Sequence, residues 1–299
     1  MGVDRRTALK TLAAAGAAVA GSPGRAEARE PRQPPEDAVG LLYDATLCIG
    51  CKSCVVACYD ANFDEPPPGE MYYNPEDLSA TCRNVIKEHV DGAEHSFMKM
   101  QCMHCVDPGC ISACMLGALE KREYGIVTWE ADKCVGCRYC QVACAFNVPK
   151  FEWNDATPEI IKCYLCNHRL ADGLEPACAD VCPTGAVIFG TRVDLLAEAH
   201  RRIEESPDRY EPKVYGETDG GGTQNLYLTA AGIPFTDLGL PELGDRSTAH
   251  TSETVQHTIY KGFAAPVILY GILGAVVWKT HRQHEVGEVD THPEREVRS

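Results

Sequence analysis

The chain lacks the Lys/Arg excess that a phosphate-tracking surface needs. Its 28 basic and 43 acidic side chains leave a formal charge of −15 over 299 residues, which argues against nucleic-acid binding. No C-x-x-C-H string occurs, so covalent haem is not indicated. No glycine-rich nucleotide loop occurs either. Proline and glycine do not gather into the long runs of a disordered chain. Cysteine is the exception, with 17 residues, nearly all at short fixed spacings. A disulfide framework does not suit a chain of this length, so the thiols need another use.

Sixteen of them form four strings. The first is Cys48-x2-Cys51-x2-Cys54-x3-Cys58, and the third, Cys134-x2-Cys137-x2-Cys140-x3-Cys144, nearly repeats it. The second is Cys102-x2-Cys105-x4-Cys110-x3-Cys114; the fourth is Cys163-x2-Cys166-x11-Cys178-x3-Cys182, followed by Pro183. Zinc sites close with two C-x2-C pairs or with histidine and have no use for this pattern. Three thiolates two residues apart lie on a tight loop that wraps one corner of an iron–sulfur cubane. Gly50 and Gly136 relieve the backbone there. The fourth cysteine, expected to start a short helix, points to the neighbouring cluster. The expectation is four [4Fe–4S] clusters.

Loop lengths suggest which strings exchange their last cysteines. Only nineteen residues separate Cys114 from Cys134, and they read as strand–turn–strand with Tyr124-Gly125 at the turn. Strings two and three should pair, leaving one and four to enclose them. The expected ligand sets are Cys48, Cys51, Cys54 with Cys182; Cys163, Cys166, Cys178 with Cys58; Cys102, Cys105, Cys110 with Cys144; and Cys134, Cys137, Cys140 with Cys114. No catalytic residue is singled out. The remaining cysteine, Cys82, is expected on a helix running from Asn74 to Asp91-Gly92, buried with Leu78, Val85 and Ile86 and binding no metal. His104 and His168 are expected as exposed loop residues.

The ends carry other signals. Arg5-Arg6, an Ala/Gly-rich stretch and Ala26-Glu27-Ala28 have the layout of a twin-arginine signal peptide over 1–28. A chain exported already folded could receive its clusters in the reducing cytosol. Residues 29–190 are expected to form the four-cluster domain. In 191–258, a helix opening at Thr191-x-x-Asp194 precedes an extended segment draped on that body. The uncharged run Gly262–Trp278 suggests a transmembrane anchor over 259–279, with 280–299 as a cytoplasmic tail. The chain would then sit on the periplasmic side of the cytoplasmic membrane, held by this single anchor.

Taken together, the leader, the cysteine strings and the tail resemble the HybA-type ferredoxin subunits of hydrogenase-2 complexes. They resemble, more widely, the iron–sulfur subunits of respiratory formate dehydrogenases and dimethyl-sulfoxide-reductase-like enzymes. The supporting strings are Leu42-Tyr43-Asp44-Ala45-Thr46, Asn147-Val148-Pro149-Lys150-Phe151-Glu152-Trp153, Cys182-Pro183-Thr184-Gly185-Ala186, Val214-Tyr215-Gly216-Glu217 and Tyr260-Lys261-Gly262-Phe263. Ala145 and Met115 depart from the proline that often follows the last cysteine. The resemblance implies an α+β fold of two nested, ferredoxin-like two-cluster modules, with the extended C-terminal segment and one transmembrane helix appended. It also implies an electron relay between a periplasmic [NiFe] hydrogenase, with its small and large subunits, and an integral membrane quinone-reactive subunit. The alternatives are the same relay in a formate dehydrogenase or other molybdopterin oxidoreductase, and a scaffold whose metals only stabilise the fold.

Overall fold

A computed structural model describes residues 30–64, 75–91, 94–153 and 158–285. The expected leader lies outside them, as do residues 286–299 of the tail. The first element, β1 (Val39–Asp44), places Leu41, Leu42 and Tyr43 in succession with almost no exposure, so both its faces are covered, as for an interior strand. Gly40 is required there, because a Cβ would stand 1.8 Å from the Gln224 carbonyl oxygen. The first cysteine string runs into α1 (Ser53–Asn62). Next comes a hairpin, β2 (Val85–Asp91) with β3 (Glu94–Met100), registered from Val85 opposite Met100 to Asp91 opposite Glu94.

This hairpin replaces the helix expected over 74–91, of which residue 74 lies outside the described residues. Leu78, Cys82, Val85 and Ile86 do share helical spacing. Yet Val85, Ile86 and Val90 favour a pleated strand once a partner ladder exists, and Cys82 forms a bridge with Ser79 instead. Cys82 is buried all the same, its thiol donating to the Asn84 carbonyl at 2.8 Å.

Further along lie α2 (Gly109–Ser112), the short strands β4 (Leu119–Lys121) and β5 (Val127–Trp129), and α3 (Tyr139–Val142). Tyr124 and Gly125 turn between β4 and β5 with φ of 57° and 70°, where the spacing placed the turn. A small pair follows, β6 (Lys150–Phe151) with β7 (Ile160–Ile161), then α4 (Asn167–Ala171) and α5 (Ala177–Asp180). Next, β8 (Val187–Thr191) leads into α6 (Arg192–Glu205). Thr191 caps α6 by accepting the Asp194 N–H at 3.2 Å, as the sequence signature indicates.

The core sheet has the order β8-β1-β9, with β8 antiparallel to β1 and β9 (Leu226–Leu228) parallel to it. The segment after α6 is therefore not simply draped on the surface. Thr223, Gln224, Asn225, Leu226, Tyr227 and Leu228 are all fully buried. Asn225 accepts from the Leu41 N–H at 3.0 Å and donates to the Cys102 carbonyl at 2.7 Å. Gln224 donates to the carbonyls of Val39 at 2.6 Å and Tyr124 at 2.7 Å. Side-chain amides thus do the pairing that a regular ladder would otherwise do. Ala28–Glu253 form one compact unit, and the architecture is α+β.

The last helix, α7 (Thr248–Glu285), corrects the expected membrane anchor. Among the described residues no helix is long and apolar enough to cross a membrane. The uncharged run Gly262–Trp278 has seventeen residues, about 26 Å of helix at ~1.5 Å per residue. A bilayer core of ~30 Å wants about 20. The run is also diluted by Gly271 and Gly274, and Lys279 follows it directly. The membrane-anchored periplasmic localisation expected from this helix is corrected with it.

Candidate metal centres

Each cysteine string bends at the same place. The residue before its second cysteine, Gly50, His104, Gly136 or Leu165, has a left-handed φ between 48° and 68°. Glycine accepts this freely, whereas His104 and Leu165 hold it at a cost of about 1–2 kcal/mol. At Gly50 the reason is also steric, because a Cβ would meet the Phe97 ring at 2.4 Å. The third cysteine falls in a helix in every string: Cys54 in α1, Cys110 in α2, Cys140 in α3 and Cys178 in α5. The fourth follows four residues later, inside α1 for Cys58 and two residues past the helix end for Cys114, Cys144 and Cys182. Helix α1 packs against α5, and α2 against α3.

Those contacts set the cysteine strings side by side, although among the described residues no three Cys, His, Asp or Glu side chains stand close enough to hold a single metal ion. Cys48, Cys51, Cys54 and Cys182 line one cavity with Tyr43, Ile86 and Pro183. Cys58 stands among Cys163, Cys178 and Cys166; Asn62 Nδ2 reaches the sulfurs of Cys58 at 3.8 Å and Cys166 at 3.6 Å. Cys110 stands among Cys144, Cys102 and Cys105. Cys114, Cys134, Cys137 and Cys140 line a cavity with Met115, Leu116, Val135 and Arg138, where Arg138 lies over the Trp153 ring at 3.9 Å. The quartets follow one another: Cys54 and Cys178 act on each other electrostatically, as do Cys163 and Cys102, and Cys110 packs on the same apolar cluster as Cys114, Cys134 and Cys140. Cys137 is exposed at one end, and Ile49 at the other.

The chemistry of this donor set suits an iron–sulfur cluster. Burial, opposed by Lys99 and reinforced by Cys178, Cys48 and Cys182, pushes the Cys54 thiol up to about 12. Burial and the facing thiols likewise push Cys140 to about 12 and raise Cys58 and Cys110 well above the usual range. Such thiols give up their protons to a metal and not to water. Backbone amides already point at the sulfurs: Ala118 N–H at Cys114 Sγ, 3.2 Å, and Leu165 N–H at Cys163 Sγ, 3.3 Å. Donors of this kind stabilise thiolate and tune a cluster. Cys82 stands apart, raised to about 11 by burial, with none of these cysteines among the groups that act on it.

The histidines divide. His168 is exposed as expected, but His104 is fully buried, which corrects its reading as an exposed loop residue. Its Nδ1 accepts the Val127 N–H at 3.1 Å. Burial first, then Lys162 and Lys121, hold its pKa well below the usual range, so the ring is neutral. The positive φ of His104 turns its side chain inward, which spacing alone does not reveal. Two buried lysines, Lys99 and Lys162, and the half-buried Lys121 carry no signal in the spacing. Lys121 donates to the Gly125 carbonyl at 2.7 Å and to Gln224 at 2.9 Å. Lys162 donates to the carbonyls of Val127 and Cys163. Lys99 donates to Gln101.

Comparison with known proteins agrees with this chemistry. Residues 93–192 match a family described as a 4Fe-4S dicluster domain. The Hydrogenase-2 operon protein HybA of Escherichia coli O157:H7 is 41% identical, the match covering 96% of this chain and 99% of the relative. The Formate dehydrogenase-O iron-sulfur subunit of Escherichia coli K12 is 38% identical over 79% of each chain. The iron-sulfur subunit of the nitrate-inducible formate dehydrogenase from the same organism is 40% identical over 68% of this chain and 72% of its own.

Proposed function

Because this chain belongs to the HybA family of iron–sulfur subunits, we propose that it relays electrons between the catalytic subunits of a [NiFe] hydrogenase and an integral membrane, quinone-reactive subunit. It carries [4Fe–4S] clusters and has an electron-transfer role. We read the count as four, held within residues 29–190. Cys48, Cys51, Cys54 and Cys182 hold the first; Cys58, Cys163, Cys166 and Cys178 the second. Cys102, Cys105, Cys110 and Cys144 hold the third, and Cys114, Cys134, Cys137 and Cys140 the fourth. Bound there, the clusters supply one-electron redox capacity. The protein's part is to exclude water around the inner quartets, aim amide donors at the sulfurs and keep the donor atoms fixed.

The observation that supports this reading is the succession of the quartets, from an end near Ile49 to an end at exposed Cys137. A scaffold would need metals but no such continuity. The hydrogenase reading is favoured over the formate dehydrogenase one by coverage: 96% of this chain against 79%. The test is to purify the complex and follow its clusters by redox-titrated EPR. Hydrogen should reduce them and formate should not. Reduction by formate alone would move the chain to the other relay, and clusters that cannot be reduced would end the relay reading altogether.

A further inference from the structure

The second quartet draws its thiols from two distant strings, and one side chain reaches both of them. Asn62 closes α1 one turn after Cys58, so the two lie on the same helical side. Its Nδ2 donates to the Cys58 carbonyl at 2.8 Å and stands 3.8 Å from Cys58 Sγ and 3.6 Å from Cys166 Sγ. Both sulfurs belong to buried residues. Arg83 decides which end of the amide faces them. Its Nη1 donates to Asn62 Oδ1 at 3.1 Å, and a guanidinium can only donate, so the oxygen lies on the Arg83 side and the nitrogen on the sulfur side. The guanidinium is itself held by two rings, at 4.8 Å from Phe63 and 4.8 Å from Tyr164. Phe63 follows Asn62 directly, and Tyr164 lies between Cys163 and Cys166. Beside Arg83, Asn84 Nδ2 donates to the Cys54 carbonyl at 3.3 Å, which ties this segment to α1.

A side-chain amide nitrogen carries two hydrogens. The Cys58 carbonyl takes one, and the sulfurs of Cys166 and Cys58 are within reach of the other, Cys166 being the nearer. We propose that Asn62 donates a hydrogen bond to the ligand sulfurs of the second quartet, with Arg83 as its positioning residue, and so makes the second centre easier to reduce. Reduction adds one electron and no proton to a centre already anionic through its four thiolates, the electron coming from a neighbouring centre of the relay. An N–H aimed at a ligand sulfur stabilises the more electron-rich of the two states. This inference rests on the ligand set and the relay role proposed above. Its consequence is specific: one centre responds to the amide, because both sulfurs that Asn62 reaches lie in one quartet.

The experiment is redox-titrated EPR, with iron analysis, on the iron-loaded chain and its Asn62→Leu, Asn62→Asp, Arg83→Met and Asn62→Leu/Arg83→Met variants. Reducible centres in the unaltered chain support the relay reading whatever the variants do; centres that cannot be reduced there end that reading and this inference with it. Asn62→Leu should keep its iron while one centre becomes about fivefold harder to reduce, which is about 40 mV at ~59 mV per tenfold. Arg83→Met should move the same centre the same way by a smaller factor, and should add nothing to Asn62→Leu in the double variant. A full further shift in the double variant would make Arg83 an independent charge and overturn its positioning role. Full iron with unmoved potentials in Asn62→Leu would overturn the proposal. If Asn62→Leu loses iron, Asn62→Asp decides, because it keeps the shape and the Arg83 contact but offers the sulfurs no N–H. A loaded centre that is harder to reduce supports the donor. An unmoved potential, or loss of iron there too, assigns Asn62 to packing and overturns it.

Discussion

Asp44 ends β1 just ahead of the first cysteine string, and replacing it should expose how the sheet is fastened to α6. Its side chain is 0% exposed and that of its partner Arg202 is 16% exposed. The carboxylate accepts from Arg202 Nη1 at 3.0 Å, Tyr210 Oη at 2.9 Å, the Thr46 N–H at 2.9 Å and Thr46 Oγ1 at 2.6 Å. Asp44→Ala strands a guanidinium and a hydroxyl, and breaking a buried pair from one side costs about 3–5 kcal/mol. Arg202 keeps Glu198 at 2.7 Å, so we expect the lower end, about 3 kcal/mol. At ~2–4 °C per kcal/mol for a domain of this size, Tm falls by roughly 6–12 °C. Thermal unfolding of the iron-loaded chain, followed by circular dichroism, measures it. The double variant Asp44→Ala/Arg202→Ala should cost at least ~1 kcal/mol less than the two single costs summed, since the orphaned charge leaves with its partner. Additivity within about 0.5 kcal/mol, or a loss below ~1 kcal/mol for Asp44→Ala, would refute the reasoning.

Cys82→Ala should leave the iron content unchanged and cost about 1–2 kcal/mol through the lost hydrogen bond and volume; missing iron would make Cys82 a ligand. Gly50→Ala and Gly136→Ala separate two almost identical strings. The first drives a Cβ to 2.4 Å from the Phe97 ring and should lose iron, whereas the second meets only Pro158 at 3.8 Å and should cost about 1–2 kcal/mol of backbone strain. Iron analysis of the two variants decides, and equal losses would discard the steric explanation. Glu198 is held down at about 2 from 4.5, chiefly by its hydrogen bond from Arg201 and then by Arg202. A depressed carboxylate contributes fully above its unfolded value and loses that contribution as pH falls from about 4.5 to about 2. Because Glu198 is only half-buried, we expect about 1 kcal/mol, seen as a flatter acid limb of stability against pH in Glu198→Gln.

The local parts of the structure were legible in the sequence because neighbours along the chain create them. The C-x2-C loops, the turn at Tyr124-Gly125 and the Thr191 cap all belong to this kind. What depended on distant partners was not legible. Val85 and Ile86 carry helical and strand spacing at once, and only the ladder from Glu94 to Met100 decides between them. Lys99 alternates with Met98 and Met100 as on a solvent-facing edge, yet it is fully buried and donates to Gln101. Thr223-Gln224-Asn225 reads as a polar loop, but its amides are consumed by backbone groups up to 185 residues away. The order in which the quartets touch, and the burial of His104, emerge only once the strings are in place.

The core sheet also imposes a timetable. Leu41 in the first strand waits for Asn225, 184 residues later. At ~5–20 residues per second of synthesis that is roughly 10–40 s during which β1 lacks β9, although β8 arrives earlier. The cysteines from Cys102 to Cys144, by contrast, all lie in one short stretch of chain, yet the Cys102 carbonyl also waits for Asn225. The strand at Leu226–Leu228 acts as a late closure, and its arrival finishes the housing of Cys48 to Cys58.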